Sequence, residues 1–426
     1  MNRFWSATIV SELGTHVTTL AMPLFVLTVL HGSATDVGLL NAARWLPYLL
    51  FGLLAGALVD RWRRVPVLVT SDIGRAVLLT VVALFVRDFT LLLAIMLVVG
   101  LLSLGHDVAT QSFLPRLVPT DRLPTANARL AQTGSAAAAT GPLAGGTLVT
   151  VLGAPLSIVL DGFSYLVSGL LTATVRVDEP PAPAKRGTIR EGLAWVYRHP
   201  MLKPLALNTH AWMVFSSAAG AVYVPFATLD LHLSPFELGV TLAFAGAGGV
   251  LGGAVSGWAA RRFGLGRSAV TARFLPLVAF AIIALSHDWT GAAAGQFLFW
   301  LGIGIESPST IAYRQSVTPD RLQGRMNATI RSFNWGVVAI GAPVGGWLAD
   351  HTGHRTTFWV AVAGFALTAV TFACSRFRLV SAPPAVGAVG AGQPADVERV
   401  QCVAAAAEPA ADPVLPQRER VDDVER

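Results

Sequence analysis

Cysteine is nearly absent from this chain: Cys374 and Cys402 are the only two in 426 residues, so neither a disulfide framework nor a cysteine metal cluster can organise it. Charge is scarce as well, with Asp, Glu, Lys and Arg making up 13% of residues against about a quarter in a soluble domain. There is no Gly-x-x-x-x-Gly-Lys-[Ser/Thr] phosphate loop, no His-Glu-x-x-His pattern and no Cys-x-x-Cys pair, which removes an ATP cradle, a zinc-hydrolase helix and a dithiol centre. The serines are isolated, without a nucleophile–base set. An enzyme is therefore not expected, and no cofactor or metal is.

What is present is apolar. Hydrophobic types reach 53% and the mean hydropathy is +0.58, arranged in runs that approach the roughly 20 residues a bilayer crossing needs. Twelve such runs are predicted at 8–30, 36–59, 67–86, 90–113, 124–151, 155–175, 203–229, 235–260, 267–286, 290–313, 325–349 and 356–375. The first carries Glu12 and is followed by many more, so it reads as a retained helix rather than a signal peptide.

The net charge of +6 does not point to nucleic acid. From Ser381 onward the chain holds eight acidic residues against four basic ones, so the surplus of positive charge belongs to the loops between apolar runs. Arg3, Arg61, Arg63, Arg64, Arg116, Arg122, Arg261, Arg262, Arg267, Arg314, Arg321, Arg325, Arg376 and Arg378 fall on one side, and only Arg87 and Arg355 on the other. Basic loops stay in the cytoplasm, which predicts a multi-pass protein of the inner (plasma) membrane with both termini cytoplasmic.

The chain also repeats itself. Ser33-Ala-Thr-Asp36-Val-Gly38 returns as Ser234-Pro-Phe-Glu237-Leu-Gly239, and Gly52 and Gly56 as Gly253 and Gly257. Asp121-Arg122-Leu123, Asn127-Ala128, Gly141 and Gly145-Gly146 are echoed by Asp320-Arg321-Leu322, Asn327-Ala328, Gly341 and Gly345-Gly346. Two duplicated helical halves facing each other enclose a cavity that can open to either side in turn, which is how secondary transporters work. The expected division is 1–176 for the first six-helix half, 177–202 for a central linker, 203–378 for the second half and 379–426 for a disordered tail. In the linker, Ile189, Leu193 and Val196 share a helical face, predicting an amphipathic helix on the inner leaflet anchored by Trp195 and Tyr197.

Two motifs carry a family resemblance. Gly52-Leu-Leu-Ala-Gly56-Ala-Leu-Val-Asp60-Arg61-Trp-Arg63-Arg64 resembles the cytoplasmic signature loop of the major facilitator superfamily. Gly52 and Gly56 allow backbones to approach closely, and Asp60 stands where a carboxylate could meet a helix N-terminus. The resemblance implies a latch between the halves, with Asp60 against the eleventh span. The second-half position matching Asp60 is Arg261, which departs from the pattern. Gly141-Pro142-Leu-Ala-Gly145-Gly146 is similar to the same superfamily's antiporter signature, in which a proline bend flanked by glycines is associated with exporters. The loops Leu117–Leu123 and Val317–Ala328 resemble those of the branch holding the enterobactin exporter and macrolide-efflux-type transmembrane secretion effectors. The implied fold is all-α, twelve transmembrane helices in two pseudo-symmetric six-helix bundles.

Ionisable residues inside spans are the candidate functional groups, because a charge in hydrocarbon must face a cavity or a partner. Glu12 and His16 lie one turn apart on one face, with Glu12 about 10 Å inside the membrane counted from Trp5. Asp107 beside His106, Asp161 and Glu306 need partners that Arg44 and Arg331 could supply. Asp72 and Arg75 read as a local ion pair supporting the signature loop. Trp212, Phe215, Tyr223, Phe297 and Trp300 are available to line a cavity for a bulky cargo. The expected activity is proton antiport of a small, partly apolar molecule (drug, antibiotic or siderophore-like) by a monomer, with a proton-coupled nutrient importer as the alternative. The expected partners are that small molecule, protons and the lipid bilayer, without nucleic acid.

Overall fold

Helix follows helix along the whole computed structural model, which describes residues 2–59, 62–119, 122–175, 177 and 188–381 and contains no strand among them. Asp60, Arg61, Asp121, most of the Pro-rich linker and the chain beyond residue 381 lie outside the described residues. The first four spans are α1 (Asn2–Thr28), α2 (Ala34–Val59), α3 (Arg64–Phe85) and α4 (Phe89–Leu117). Spans five and six form α5 (Leu123–Ala173), interrupted at Gly153 with φ 79° and ψ 165°, a conformation that favours glycine. Pro142 sits inside α5 without leaving helical φ/ψ.

The linker contributes α6 (Ile189–Arg198). Then come α7 (Leu202–Pro225), extended by a π turn over Phe226–Asp230, and α8 (Pro235–Phe263). Span nine is split into α9 (Leu265–Ala272) and α10 (Leu275–Leu285), span ten is α11 (Trp289–Ser316), and span eleven is split into α12 (Asp320–Gly336) and α13 (Val338–Thr352). Span twelve is α14 (His354–Cys374). Nine stretches among the described residues are long and apolar enough to cross a membrane, with α5 long enough for two crossings. The less apolar spans, ten and eleven, carry Glu306, Asn327, Arg331 and Asn334.

The repeat in the sequence is a repeat in contacts. Ser33 and Asp36 cap α2 reciprocally, at 2.8 and 3.3 Å, and Ser234 and Glu237 cap α8 with the same two distances. In each cap the carboxylate accepts from the serine backbone and the serine hydroxyl accepts in return, satisfying donors the first turn leaves free. Glycines then let the first six spans meet the last six. A side chain on Gly38 would collide with Ala342 and Pro343, and one on Gly239 with Pro142 and Gly146. Gly146 in turn lies against Pro235 and Gly239, and Gly346 against Ala34 and Thr35. Gly141 and Gly145 pack on His16 and Val17 of α1, as Gly341 and Gly345 pack on α7. The glycine–proline motif of span five is thus packing surface on two sides rather than a break.

Two faces of the bundle can be distinguished. One carries Phe4, the start of α3, Leu117 and Val175, which cluster together, and also α6. Its opposite carries the α1–α2, α7–α8 and α13–α14 turns. The linker helix differs from expectation, since Trp195 and Val196 are turned into the protein instead of toward lipid. The Trp195 indole donates to Thr318 Oγ1 at 3.1 Å, Glu191 pairs with Arg325, and Tyr197 bonds His210 at 3.0 Å. A buried indole N–H needs an acceptor, and the loop before α12 supplies it where a lipid surface would not. Beyond α6, His199 Nδ1 accepts from the backbone N–H of Met201 and Leu202, both at 3.2 Å. Burial pushes this imidazole down to about 4, keeping it neutral and able to accept.

Candidate functional site: a central cavity and its buried charges

A cavity of ≈ 860 Å³ lies against α7, α11 and span eleven, reached from α2 and α4 by Asn41, Trp45 and Gln111. The volume is within the ~300–1,000 Å³ of small-molecule sites. Four indoles border it, Trp45, Trp212, Trp300 and Trp335. Trp45 of α2 and Trp335 of α12 stack across the two halves with centroids 4.3 Å apart and planes 10° from parallel. A larger groove of ≈ 1040 Å³ is bordered by exposed Phe51, Leu54 and Trp62 on α2 and the turn before α3. Its wall is outer, lipid-side surface, so size alone does not make it the site.

The arginines beside the central cavity are held unequally. Arg273 falls at the α9–α10 junction, is 2% exposed, and donates to Glu306 at 2.8 Å and to Asn208 at 3.1 Å. Its guanidinium also lies over the Trp212 ring at 5.3 Å and the Phe372 ring at 5.2 Å. Arg331 of α12 donates to Asp107 of α4 at 2.6 Å, and Tyr48 of α2 donates to the same carboxylate oxygen at 2.8 Å. This second pair crosses from one half of the chain to the other. Arg314, at the far end of α11, lines the cavity as well.

A second polar region fills the first half. Asp72 is ion-paired with Arg75, accepts from Ser168 at 2.8 Å and lies 3.5 Å from His106. Arg75 covers the Tyr165 ring at 4.1 Å, and Tyr165 bonds Thr15 of α1 at 2.7 Å. Asp161, 1% exposed, accepts from Ser164 at 3.0 Å and also lies beside the Thr18 hydroxyl of α1. It abuts Gly14, where an added side chain would strike it, so the α1 segment carrying Glu12 and His16 runs beside it.

The sequence-predicted residues are therefore only partly brought together. Asp107 and Arg331 meet as a pair. Arg44 does not serve as the partner expected of it: its guanidinium lies over its neighbour Trp45 at 5.7 Å, and it forms an ion pair with none of Asp107, Asp161 and Glu306. The partner of Glu306 is Arg273, which sequence reasoning missed. The signal was available, an arginine inside an apolar run, the same criterion that singles out Arg44. Asp72 and Arg75 form their pair in the interior, tied to span six through Ser168, and not at the signature loop. Of that loop, Gly52 packs on Ser332 of α12, Arg63 is exposed and Arg64 is buried, while Asp60 and Arg61 lie outside the described residues. Of the aromatics, Trp212 and Trp300 line the cavity, whereas Phe215 packs on Gly364 and Tyr223 is buried away from it.

Comparison with known proteins agrees with this architecture. The family model described as Major Facilitator Superfamily matches residues 4–330 and 205–415. The chain is 25% identical to the multidrug efflux pump Tap of Mycolicibacterium fortuitum, over 83% of its own length and 90% of that protein's. It is 23% identical to macrolide efflux protein A of Streptococcus pyogenes, over 87% and 94%. Among solved structures, the nucleoside transporter NupG superposes with a TM-score of 0.73 at 12% identity, covering 87% of this chain and 98% of that one. A bacterial homologue of the iron transporter ferroportin gives a TM-score of 0.67 at 16% identity, covering 87% and 97%.

Proposed function

Because the chain belongs to the Major Facilitator Superfamily, a family of membrane transporters and not of enzymes, we propose that it exports a small, partly apolar molecule in exchange for protons. The names of its relatives, multidrug and macrolide efflux pumps, favour the outward direction. The uneven spread of arginines favours a cytoplasmic linker face, with both chain ends on that side. Asp350 of α13, whose carboxylate accepts from the Ala34 and Thr35 amides of α2, and the glycine contacts then close the outer face, leaving the cavity to fill from within.

The Asp107–Arg331 pair carries the reading. It borders the cavity, joins the two halves and includes a carboxylate whose side chain is 40% exposed, so a proton can reach it. Protonating Asp107 removes the charge that holds Arg331, and the halves lose a tie at the level of the cargo. Glu12, with no hydrogen bond or ion pair to a described residue, is the second proton carrier, and His16 and Asp161 beside it extend the path. Binding of proton and cargo to opposite conformers is sufficient for exchange, since each ligand shifts the equilibrium only by its differential affinity.

The test is proton-driven uptake of a fluorescent drug panel into everted membrane vesicles containing the protein. Uptake that collapses when the proton gradient is dissipated, and that falls at least about tenfold in the double variant Glu12→Gln/Asp107→Asn, is the expected result. A double variant that keeps the normal rate removes both residues from coupling. Accumulation by intact cells, with none by everted vesicles, establishes import instead.

A further inference from the structure

We propose that the cargo is an anion carrying aromatic or apolar bulk, with Arg314 as the group that binds its negative charge. The proposal rests on the cavity being the cargo site. Around that cavity the charges do not balance: Arg273 is matched by Glu306 and Arg331 by Asp107, but the Arg314 guanidinium takes part in no ion pair and no hydrogen bond among the described residues. Its Nε is buried without an acceptor, while the terminal nitrogens of the guanidinium are not shut away. Asp107 and Glu306 are the carboxylates within reach of this wall, and both are already engaged.

An arginine whose Nε is buried without an acceptor is left under-satisfied unless a counter-charge arrives. A carboxylate, sulfonate or phosphate supplies it, and the guanidinium fork matches such groups bidentately. The remainder of the wall fits the other end of such a molecule. Trp335, Trp300 and Ile311 lie along the cavity with Arg314, and indole faces accept flat apolar groups with little geometric demand. A cationic drug meets the reverse arrangement, a surplus guanidinium and no free carboxylate.

The decisive measurement is equilibrium binding to the purified full-length protein in neutral detergent, by fluorescence anisotropy, using two dyes on one xanthene scaffold. Fluorescein is anionic at neutral pH and rhodamine 123 is cationic. Fluorescein is expected to bind at least about tenfold more tightly. Arg314→Gln abolishes most of that preference, Arg314→Lys keeps part of it, and added salt weakens fluorescein alone. Equal or tighter binding of rhodamine 123 by the unaltered protein overturns the charge assignment while leaving the cavity as the cargo site. So does an Arg314→Gln protein that is folded and still prefers fluorescein. Binding of neither dye overturns both the cavity assignment and this proposal. Phosphatidylglycerol added to the micelles separates cargo from lipid: if it displaces fluorescein at trace amounts, Arg314 is a lipid-phosphate site and the proposal fails. The preference of the unaltered protein decides the matter even if a variant does not fold.

Discussion

The first six spans meet the last six along two seams, α2 against span eleven and α5 against α8, and the seams are built differently on the same plan. Both are glycine contacts, Gly38 on Ala342 and Gly346 on Ala34 in one, Gly239 on Pro142 and Gly146 on Pro235 in the other. Among the described residues, only the first adds polar ties. Asp350 at the end of α13 accepts from the backbone N–H of Ala34 at 3.1 Å and of Thr35 at 2.8 Å, capping α2 from the other half of the chain. The residue corresponding to Asp350 beyond Gly146 is Thr150, whose hydroxyl instead donates to Gly146 in its own helix at 2.8 Å. The Trp45–Trp335 stack and the Asp107–Arg331 pair also belong to the first seam. Packing thus obeys the duplication while charge departs from it: one seam is bare backbone, and the other adds polar and ionic ties.

The largest expected effect separates two carboxylates inside spans, Asp107 of α4 and Glu306 of α11. Arg273 is almost fully buried beside Glu306, whose side chain is 11% exposed, whereas the Asp107–Arg331 pair is 40% and 32% exposed. Removing one partner of a buried pair strands a charge and costs about 3–5 kcal/mol; exposed pairs contribute about 0–1 kcal/mol. Glu306→Gln should therefore lower the unfolding temperature in detergent by many degrees, and Asp107→Asn should barely move it while slowing transport. Similar melting shifts for the two variants would contradict this division between a structural pair and a working one.

That division also shows what the sequence could and could not reveal. Apolar runs and the Ser33/Ser234 repeat made twelve spans and the duplication legible, because both depend on local spacing. Asp107 and Arg331 stood out as charges in lipid. Their being partners, and Arg273 reaching Glu306 thirty-three positions along the chain, depend on how helices cross, which no local pattern encodes. The amphipathic stripe of α6 was readable, but a stripe is the same whether lipid or α12 covers it; only the Thr318 acceptor decides for Trp195. Trp45 and Trp335 gave no signal at all, each being one aromatic among many until two helices bring their rings together.

The second comparison is within the glycines. Gly239 and Gly253 lie on the same helix, yet a methyl group on Gly239 would approach Pro142 O to 2.7 Å and Gly146 Cα to 3.0 Å, whereas one on Gly253 meets nothing within 4 Å. Backbone atoms cannot swing aside as side chains do, so Gly239→Ala should cost about 1–3 kcal/mol of the closed-seam state. Gly253→Ala should be neutral or slightly stabilising in a helix. Reactivity of a cysteine introduced at Val149, which is buried, in a chain with Cys374 and Cys402 replaced by serine, reads the opening of that seam. Equal reactivity in the two glycine variants would mean that α5 and α8 do not need this close approach.

The smallest effect concerns the polar tie itself. Asp350→Ala leaves the Ala34 and Thr35 amides without their acceptor, and losing a cap of this kind costs about 0.5–2 kcal/mol. The cost falls only on conformers in which the first seam is closed at this face, so it moves a population rather than unfolding the protein. A shift of about 1 kcal/mol changes the ratio of conformers about fivefold. A spin-label distance between residue 31 in the α1–α2 turn and residue 354 at the start of α14 should show a longer component growing in the Asp350→Ala protein, and Asp350→Asn, which keeps one accepting oxygen, should fall between. Cargo affinity measured from the cytoplasmic side should weaken in proportion to the fraction of inward conformer lost, by no more than that factor, because the conformer that binds it has become rarer. A lengthened distance without that matching loss of affinity would show that the first seam opens independently of the cavity, and would leave Asp350 as an ordinary helix cap.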